Sequence, residues 1–444
     1  MLHWIRTQFA EAKDLVTKQY QNGNTILQLA YIDSLCDESK IMEAISVPFS
    51  RNQQPFIDIV KASPEFNSLE NTIEWSPAIL RGFVLLYLEG KYYSYDAARV
   101  IREVGPNAQV ESAIQGPQTA LSEDLKDCLN IVRNRYPSLD LKVEEKTAGT
   151  LSKTRLIMLF DKMRVDPQQL QMVRDKLTGI SSEVLQSAGE LGKQLVNERK
   201  HFFPTVLITE RPDRICSALS EGKIVIMMQG TMFAVILPVT FYDFMYAMDD
   251  KYEAYWMTRL LLFMRYTSII LTIILPALYI SVVSYNPELF RIQLAFSIAG
   301  SRSAVPYPSF IEVFLMLFMI ETLIEASVRL PRYIGSTATT VGGLILGQAA
   351  QQAGLVSSIM IIVTSVVAIA NFVIPINSMS FSIRFLKYPL IVLSIFFGLT
   401  GVAVGLFACI VYLSGLRSFG KPYFRLLGSA IRKQQSDIGQ VKTN

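Results

Sequence analysis

The hydrophobic pattern changes character near residue 260. Before it, apolar positions come in short runs broken by polar ones; beyond it, Tyr266 to Val283, Ser309 to Leu330, Ser357 to Ile376 and Pro389 to Leu413 are almost continuously apolar. A helix crosses a bilayer with about 20 such residues at a rise of roughly 1.5 Å each, so these four stretches predict membrane spans. A fifth, Ala338 to Gly354, is shorter, rich in Gly and Ala, and carries Gln348, Gln351 and Gln352. It predicts either a span packed through Gly343-x-x-x-Gly347 or a re-entrant piece buried against protein.

In the first 260 residues, β-rich runs flank a glycine turn twice. Phe83 to Tyr87 leads through Glu89-Gly90 into Lys91 to Tyr95, and Ile224 to Met228 leads through Gln229-Gly230 into Met232 to Leu237. Both read as hairpins. Leu121, Leu125, Leu129 and Val132 have helical spacing after the Gly116-Pro117 breaker, and Tyr136-Pro137 ends that segment. Leu139 to Glu145 and Lys153 to Phe160 predict strands around a Gly149 loop, and Pro167 to Leu177 and Glu183 to Glu198 predict helices.

The fold class expected is an α+β cytoplasmic domain of two α/β subdomains, residues 1–137 and 138–260, followed by an α-helical polytopic membrane domain over residues 261–413. That domain holds four to five spans and a candidate re-entrant segment at 338–354. A basic cytoplasmic tail at 414–444 completes the chain.

Charge supports this orientation. Residues 261–413 hold 7 Lys/Arg against 4 Asp/Glu, and residues 414–444 hold 6 against 1. Cytoplasmic flanks collect Lys and Arg, so the C-terminus is expected inside. The N-terminal stretch has no apolar core or cleavage site of a secretory signal, which predicts that it stays inside too. Four spans plus a re-entrant segment give the even count this requires, and Arg384 and Lys387 then fall in an outer loop.

Little else suggests chemistry. Cys36, Cys128, Cys216 and Cys409 are scattered without metal-ligand spacing and read as buried small hydrophobes, and with only His3 and His201 neither a Ser-His-Asp triad nor an H-E-x-x-H zinc motif is expected. Gly415 to Lys421 mimics a phosphate loop, but Pro422 stands where Ser or Thr is needed to ligate magnesium. The basic tail suits topology and anionic lipid rather than nucleic acid. Glu210-Arg211-Pro212-Asp213 reads as a helix entrance. No enzymatic site and no cofactor is expected.

Ionisable residues inside a span are costly and mark function by default. Glu321, Glu325 and Arg329 are spaced four apart along one helical stripe, with Glu312 on roughly the opposite face. Glu325 precedes Arg329 in the favourable ion-pair order. Glu321 has no basic residue four positions on, so it is expected to face water or a subunit interface. Together with Glu312, these residues are candidates for an ion path or an intramembrane network; Gly342, Gly343, Gly347 and Gln348 are candidates for helix packing or a re-entrant segment.

At this point the residues match a known family. Pro306-Tyr-Pro-Ser-Phe310, Glu321-Thr-Leu-Ile-Glu325, Arg329-Leu-Pro331, Ile334-Gly335 and Val341-Gly-Gly-Leu-Ile-Leu-Gly347-Gln348 resemble the A subunits of GerA-type spore germination receptors. Phe203-Pro204, Glu210-Arg-Pro-Asp213, Gly116-Pro117 with Glu123, and Ser418-Phe-Gly420 followed by Pro422-Tyr423 extend the resemblance from about Tyr20 to Phe424. Gln115 and Gln118-Thr-Ala-Leu121 depart from the commoner pattern and mark a divergent branch. The resemblance implies a multi-pass protein of the inner membrane of a bacterial spore. It also implies an integral-membrane B subunit that senses the nutrient, a lipoprotein C subunit, and a homo-oligomeric ion channel formed by A subunits. The alternatives are a secondary transporter, which would show inverted repeats, and a non-conducting scaffold in which the carboxylates are assembly latches.

Overall fold

In a computed structural model of the chain, residues 1–9, 12–23, 25–99, 107–111, 115–196, 201–329, 342–343 and 345–424 are described. They form two compact units: one of Met1–His201, Thr205–Val239 and Ser418–Lys421, the other of Phe202–Pro204, Thr240–Arg417 and, among the described residues, 422–424. Residues 338–341 and 344 of the candidate re-entrant segment and 425–444 of the basic tail lie outside the described residues.

The first unit contains two five-stranded antiparallel sheets. In one, β1 (Leu15–Asn22), β2 (Thr25–Ile32), β3 (Phe66–Leu69), β4 (Phe83–Leu88) and β5 (Lys91–Asp96) are ordered β1-β2-β4-β5-β3. Side chains alternate between faces along a strand. Leu27, Leu29 and Tyr31 accordingly join Phe56, Ile57 and Val60 of α1 (Gln53–Ala62) in one core, while Ala30 and Ile32 join Trp75 and Ile79 of α2 (Trp75–Leu80) in another. The predicted hairpin is present as β4–β5, with Glu89 and Gly90 both at positive φ in its turn. Sequence reading missed β1–β2, although the dipeptide Gly23-Asn24 between two β-rich runs was the available signal.

The second sheet, ordered β6-β7-β9-β10-β8, uses β6 (Leu141–Ala148), β7 (Thr154–Asp161), β8 (Leu207–Thr209), β9 (Ile224–Met228) and β10 (Ala234–Leu237). α3 (Leu125–Arg135) starts later than the periodicity suggests. Asp124 caps it by accepting from Lys126 N at 2.7 Å, which fixes the first turn after residue 124. α4 (Pro167–Thr178) and α5 (Ala188–Val196) bury Val173, Leu191 and Leu195 with Met158, Ile226 and Val235 of the sheet. α3 is tied to the first sheet by Asn130, which donates to Ser34 O at 2.8 Å, and by the fully buried Arg133, which forks onto Asp14 at 2.8 and 3.0 Å.

The Glu210-Arg211-Pro212-Asp213 motif opens α6 (Pro212–Ser220), as its composition predicts. Pro212 takes the first turn and Arg211 forks onto Asp213 at 2.7 and 3.0 Å. It also anchors the preceding segment: Glu210 accepts from the backbone of Val110 and Glu111, and Leu121 N donates to Glu210 O at 2.9 Å.

The second unit is helical: α7 (Tyr255–Ser284), α8 (Ile292–Arg302), α9 (Ser309–Arg329), α10 (Ser358–Phe372) and α11 (Asn377–Gly415), with further helical residues at 342–343 and 345–352. Two of these, α7 and α11, are long and apolar enough to cross a membrane, with mean hydropathy 2.1 and 2.5.

α11 is not one rod. Gly398 has φ +56° and ψ −138°, outside the helical region. A Cβ built on Gly405 would lie 2.9 Å from Leu393 and 3.3 Å from Leu390, and one on Gly401 would collide with the Leu393 carbonyl. In a continuous helix residues 390 and 405 would stand about 22 Å apart. The chain therefore doubles back at Gly398 into antiparallel arms, 377–397 and 399–415, whose close approach needs the small residues at 401 and 405. This corrects the expected single stretch from Pro389 to Leu413, which the turn divides. At the tip, Tyr285 donates to Ile395 O and its ring sits 3.2 Å from a Cβ placed on Gly398.

Candidate functional site

The charged residues of α9 reach three different environments. Glu312 is fully buried. Its Oε1 accepts from Ser357 N at 2.6 Å and Ser357 Oγ at 2.5 Å, and its Oε2 accepts from Tyr279 OH at 3.2 Å with Arg302 Nε 3.5 Å away. Ser357 is the N-cap of α10 and accepts from Met360 N, so the carboxylate sits at the positive end of that helix. One side chain thus joins α7, α8, α9 and α10. Its lone pairs are met by donors and its charge by Arg302, which pairs with it at 3.5 Å without an in-line hydrogen bond from Nε, so Glu312 is a paired buried carboxylate.

Glu321 corrects an expectation. It does not lack a basic partner: Lys387 Nζ lies 2.9 Å from Oε1, and Arg384 forms an ion pair with Oε2. Arg384 and Lys387 are 7% and 2% exposed, in the first arm of α11 rather than in an outer loop. They share the inward stripe of Met379, Ile383, Leu390 and Ile391. A hydropathy window is blind to this, since two cations lower the average of a segment whose 3.6-residue spacing is intact. That spacing was the usable signal.

Glu325 and Arg329 pair at 2.8 Å, as their i, i+4 order predicts, with side chains 60% and 77% exposed. The structure does not join them to Glu321 or Glu312.

Gly342 and Gly343 approach Leu323 of α9, where a Cβ would lie 3.2 and 3.5 Å from its δ-methyls. A Cβ on Gly347 would make an ordinary 3.9 Å contact with Ile361 of α10. Gln348 is exposed, while Gln351 donates to Ser358 Oγ at 3.2 Å. Gly342 and Gly343 thus lie beside α9 and Gly347 and Gln351 beside α10, with Gly342 rather than Gly347 the more constrained.

Sequence reading missed two features of this unit. Arg265 forks onto the buried Asp250 near the start of α7, with Nη2 to Oδ1 at 2.9 Å. Phe203 and Phe241 pack against Tyr423, and Phe202 N donates to Tyr412 OH at 2.8 Å, which brings the Phe203-Pro204 and Pro422-Tyr423 motifs together.

Comparison with known proteins identifies the family. The family model described as Bacillus/Clostridium GerA spore germination protein matches residues 3–441. Spore germination protein A1 of Bacillus subtilis is 31% identical, over 98% of this chain and 91% of that protein. Spore germination protein B1 of the same organism is 32% identical over 89% and 84%, and the uncharacterized membrane protein YfkQ is 30% identical over 96% and 85%. Among solved structures, the N-terminal domain of the A subunit of the Bacillus megaterium spore germinant receptor GerK3 matches 54% of this chain and 94% of that one, at 21% identity and a TM-score of 0.42. With a family model matched along nearly its whole length, this chain belongs to the GerA family of spore germination proteins.

Proposed function

We infer that the protein is the A subunit of a spore germinant receptor, which couples nutrient sensing by a partner subunit to cation release through an oligomeric membrane channel. The observation that carries this reading is the family match over residues 3–441. Supporting it, a helical unit containing the long apolar α7 and the two apolar arms of α11 is joined in sequence to a sheet-rich unit, and buried charged side chains tie its helices to one another. In this reading the helical unit is multi-pass in the inner spore membrane, the N-terminal unit is cytoplasmic, and an integral-membrane B subunit and a lipoprotein C subunit complete the receptor. Glu312 and Glu321 act as network members that transmit helix movements. The protein is non-enzymatic.

A second reading, a non-conducting scaffold, is favoured by one observation: Glu321 is neutralised by two cations instead of being left for a passing ion. Liposomes carrying the full chain with its B and C subunits separate the two. Cation flux triggered by an amino-acid panel and absent without this chain supports the receptor channel; assembly without any flux supports the scaffold.

A further inference from the structure

The triad of Glu321, Arg384 and Lys387 carries one carboxylate and two cations. Both cations are more than nine-tenths buried, and Arg384 Nε is buried with no hydrogen-bond acceptor among the described residues. Phe381 and Tyr388 lie under the two cations at 5.0 and 5.4 Å to the ring centroid. Such ring faces attract a cation without supplying a counter-charge or accepting the Nε–H in line. Glu325, one turn along α9, is engaged by Arg329. A net charge enclosed in apolar surroundings is costly unless an opposite charge accompanies it. The geometry points to a small monovalent anion, of the chloride class, as the missing member of this triad.

Position and coverage narrow the ligand. Lys387 stands ten residues from either end of the arm 377–397, about 15 Å along the axis, beyond the reach of a lipid headgroup held at the helix ends. The Arg384 and Lys387 side chains are 8% and 3% exposed, which favours an ion over a group carried on another chain's backbone. Among the described residues the surplus is a single charge, so a monovalent anion balances it.

Chloride itself is the probe. The full-length chain in detergent is titrated with chloride against gluconate at constant ionic strength, reading chloride NMR line broadening and the thermal midpoint. The wild type is expected to show saturable broadening and a rising midpoint. Lys387→Met leaves a balanced Glu321–Arg384 pair and Arg384→Gln a balanced Glu321–Lys387 pair; each should abolish both responses, and two variants guard against one that fails to fold. Lys61→Gln, a surface change in the other unit, controls for general charge effects. No saturable response in the wild type, or one that survives both triad variants, overturns the proposal. It is equally overturned if chloride is inert and Lys387→Met lowers the oligomer fraction, since the counter-charge is then a carboxylate of another chain.

Discussion

Lys387 Nζ lies 2.9 Å from Glu321 Oε1 although 66 positions of chain separate them. This contact and its Arg384 neighbour turn the most isolated-looking carboxylate of α9 into the best-neutralised one. They also tie α9 to the first arm of α11 where both are otherwise apolar.

Glu312 supports a graded mutational series. Glu312→Ala leaves Ser357 N–H and O–H without their carboxylate acceptor, and orphaned buried donors cost about 1–3 kcal/mol each. Glu312→Gln keeps an oxygen toward Ser357 and loses mainly the charge opposite Arg302. Thermal midpoints of the detergent-solubilised chain should fall in the order wild type, Gln, Ala. Equal losses would show that the charge, and not the accepting oxygen, holds the junction.

The hairpin in α11 predicts which glycines matter. Gly401→Ala puts a Cβ into the Leu393 backbone and Gly398→Ala forces a side chain into a conformation at φ +56° and ψ −138° that L-residues avoid, so both should sharply reduce folded protein in the membrane. Gly347→Ala meets only Ile361 at an ordinary distance and should be tolerated. Membrane abundance by immunoblot decides it; tolerance at Gly401 would mean the arms are not closely packed.

Glu325→Gln and Arg329→Gln remove an exposed pair. Exposed ion pairs contribute about 0–1 kcal/mol, so each variant should keep near-normal thermal midpoints. A loss of several kcal/mol in either would mean that this face is buried in the assembled protein.

Burial pushes the thiols of Cys36 and Cys128 up to about 12. Unfolded thiols titrate near 8.5, so the folded pKa is the higher one. The stability from keeping both protonated is complete below about pH 8.5 and is lost as pH rises toward 12. Between pH 8 and 10 this amounts to roughly 2 kcal/mol per thiol. Unfolding midpoints of the wild type should therefore drop more over that interval than those of the Cys36→Ala, Cys128→Ala double variant. Parallel pH profiles would contradict the burial.

The two hairpins around Gly90 and Gly230 were legible because a turn glycine between β-rich runs is a local signal. The Glu325–Arg329 pair was legible for the same reason, its partners being one helical turn apart. What sequence could not show depends on chain reversal. The turn at Gly398 sits inside an uninterrupted apolar run with no polar break to announce it, so arms and span were not separable by hydropathy. Once that turn is missed, Arg384 and Lys387 look like loop residues and Glu321 looks unpaired. Glu312 shows the same limit, since its partners Tyr279, Arg302 and Ser357 come from three other segments.

The central claim, that Glu321 is a paired member of the helical network within a cation-releasing receptor, is tested most directly by one experiment in spores. Membrane abundance of the protein and the kinetics of cation release are measured together for Glu321→Gln and for the exchange Glu321→Lys with Lys387→Glu. Removing one partner of a buried pair costs about 3–5 kcal/mol, so Glu321→Gln should deplete the protein, whereas the exchange conserves the triad's charge and should restore abundance and release together. Normal abundance of Glu321→Gln with altered cation release would contradict the account and return Glu321 to the ion path.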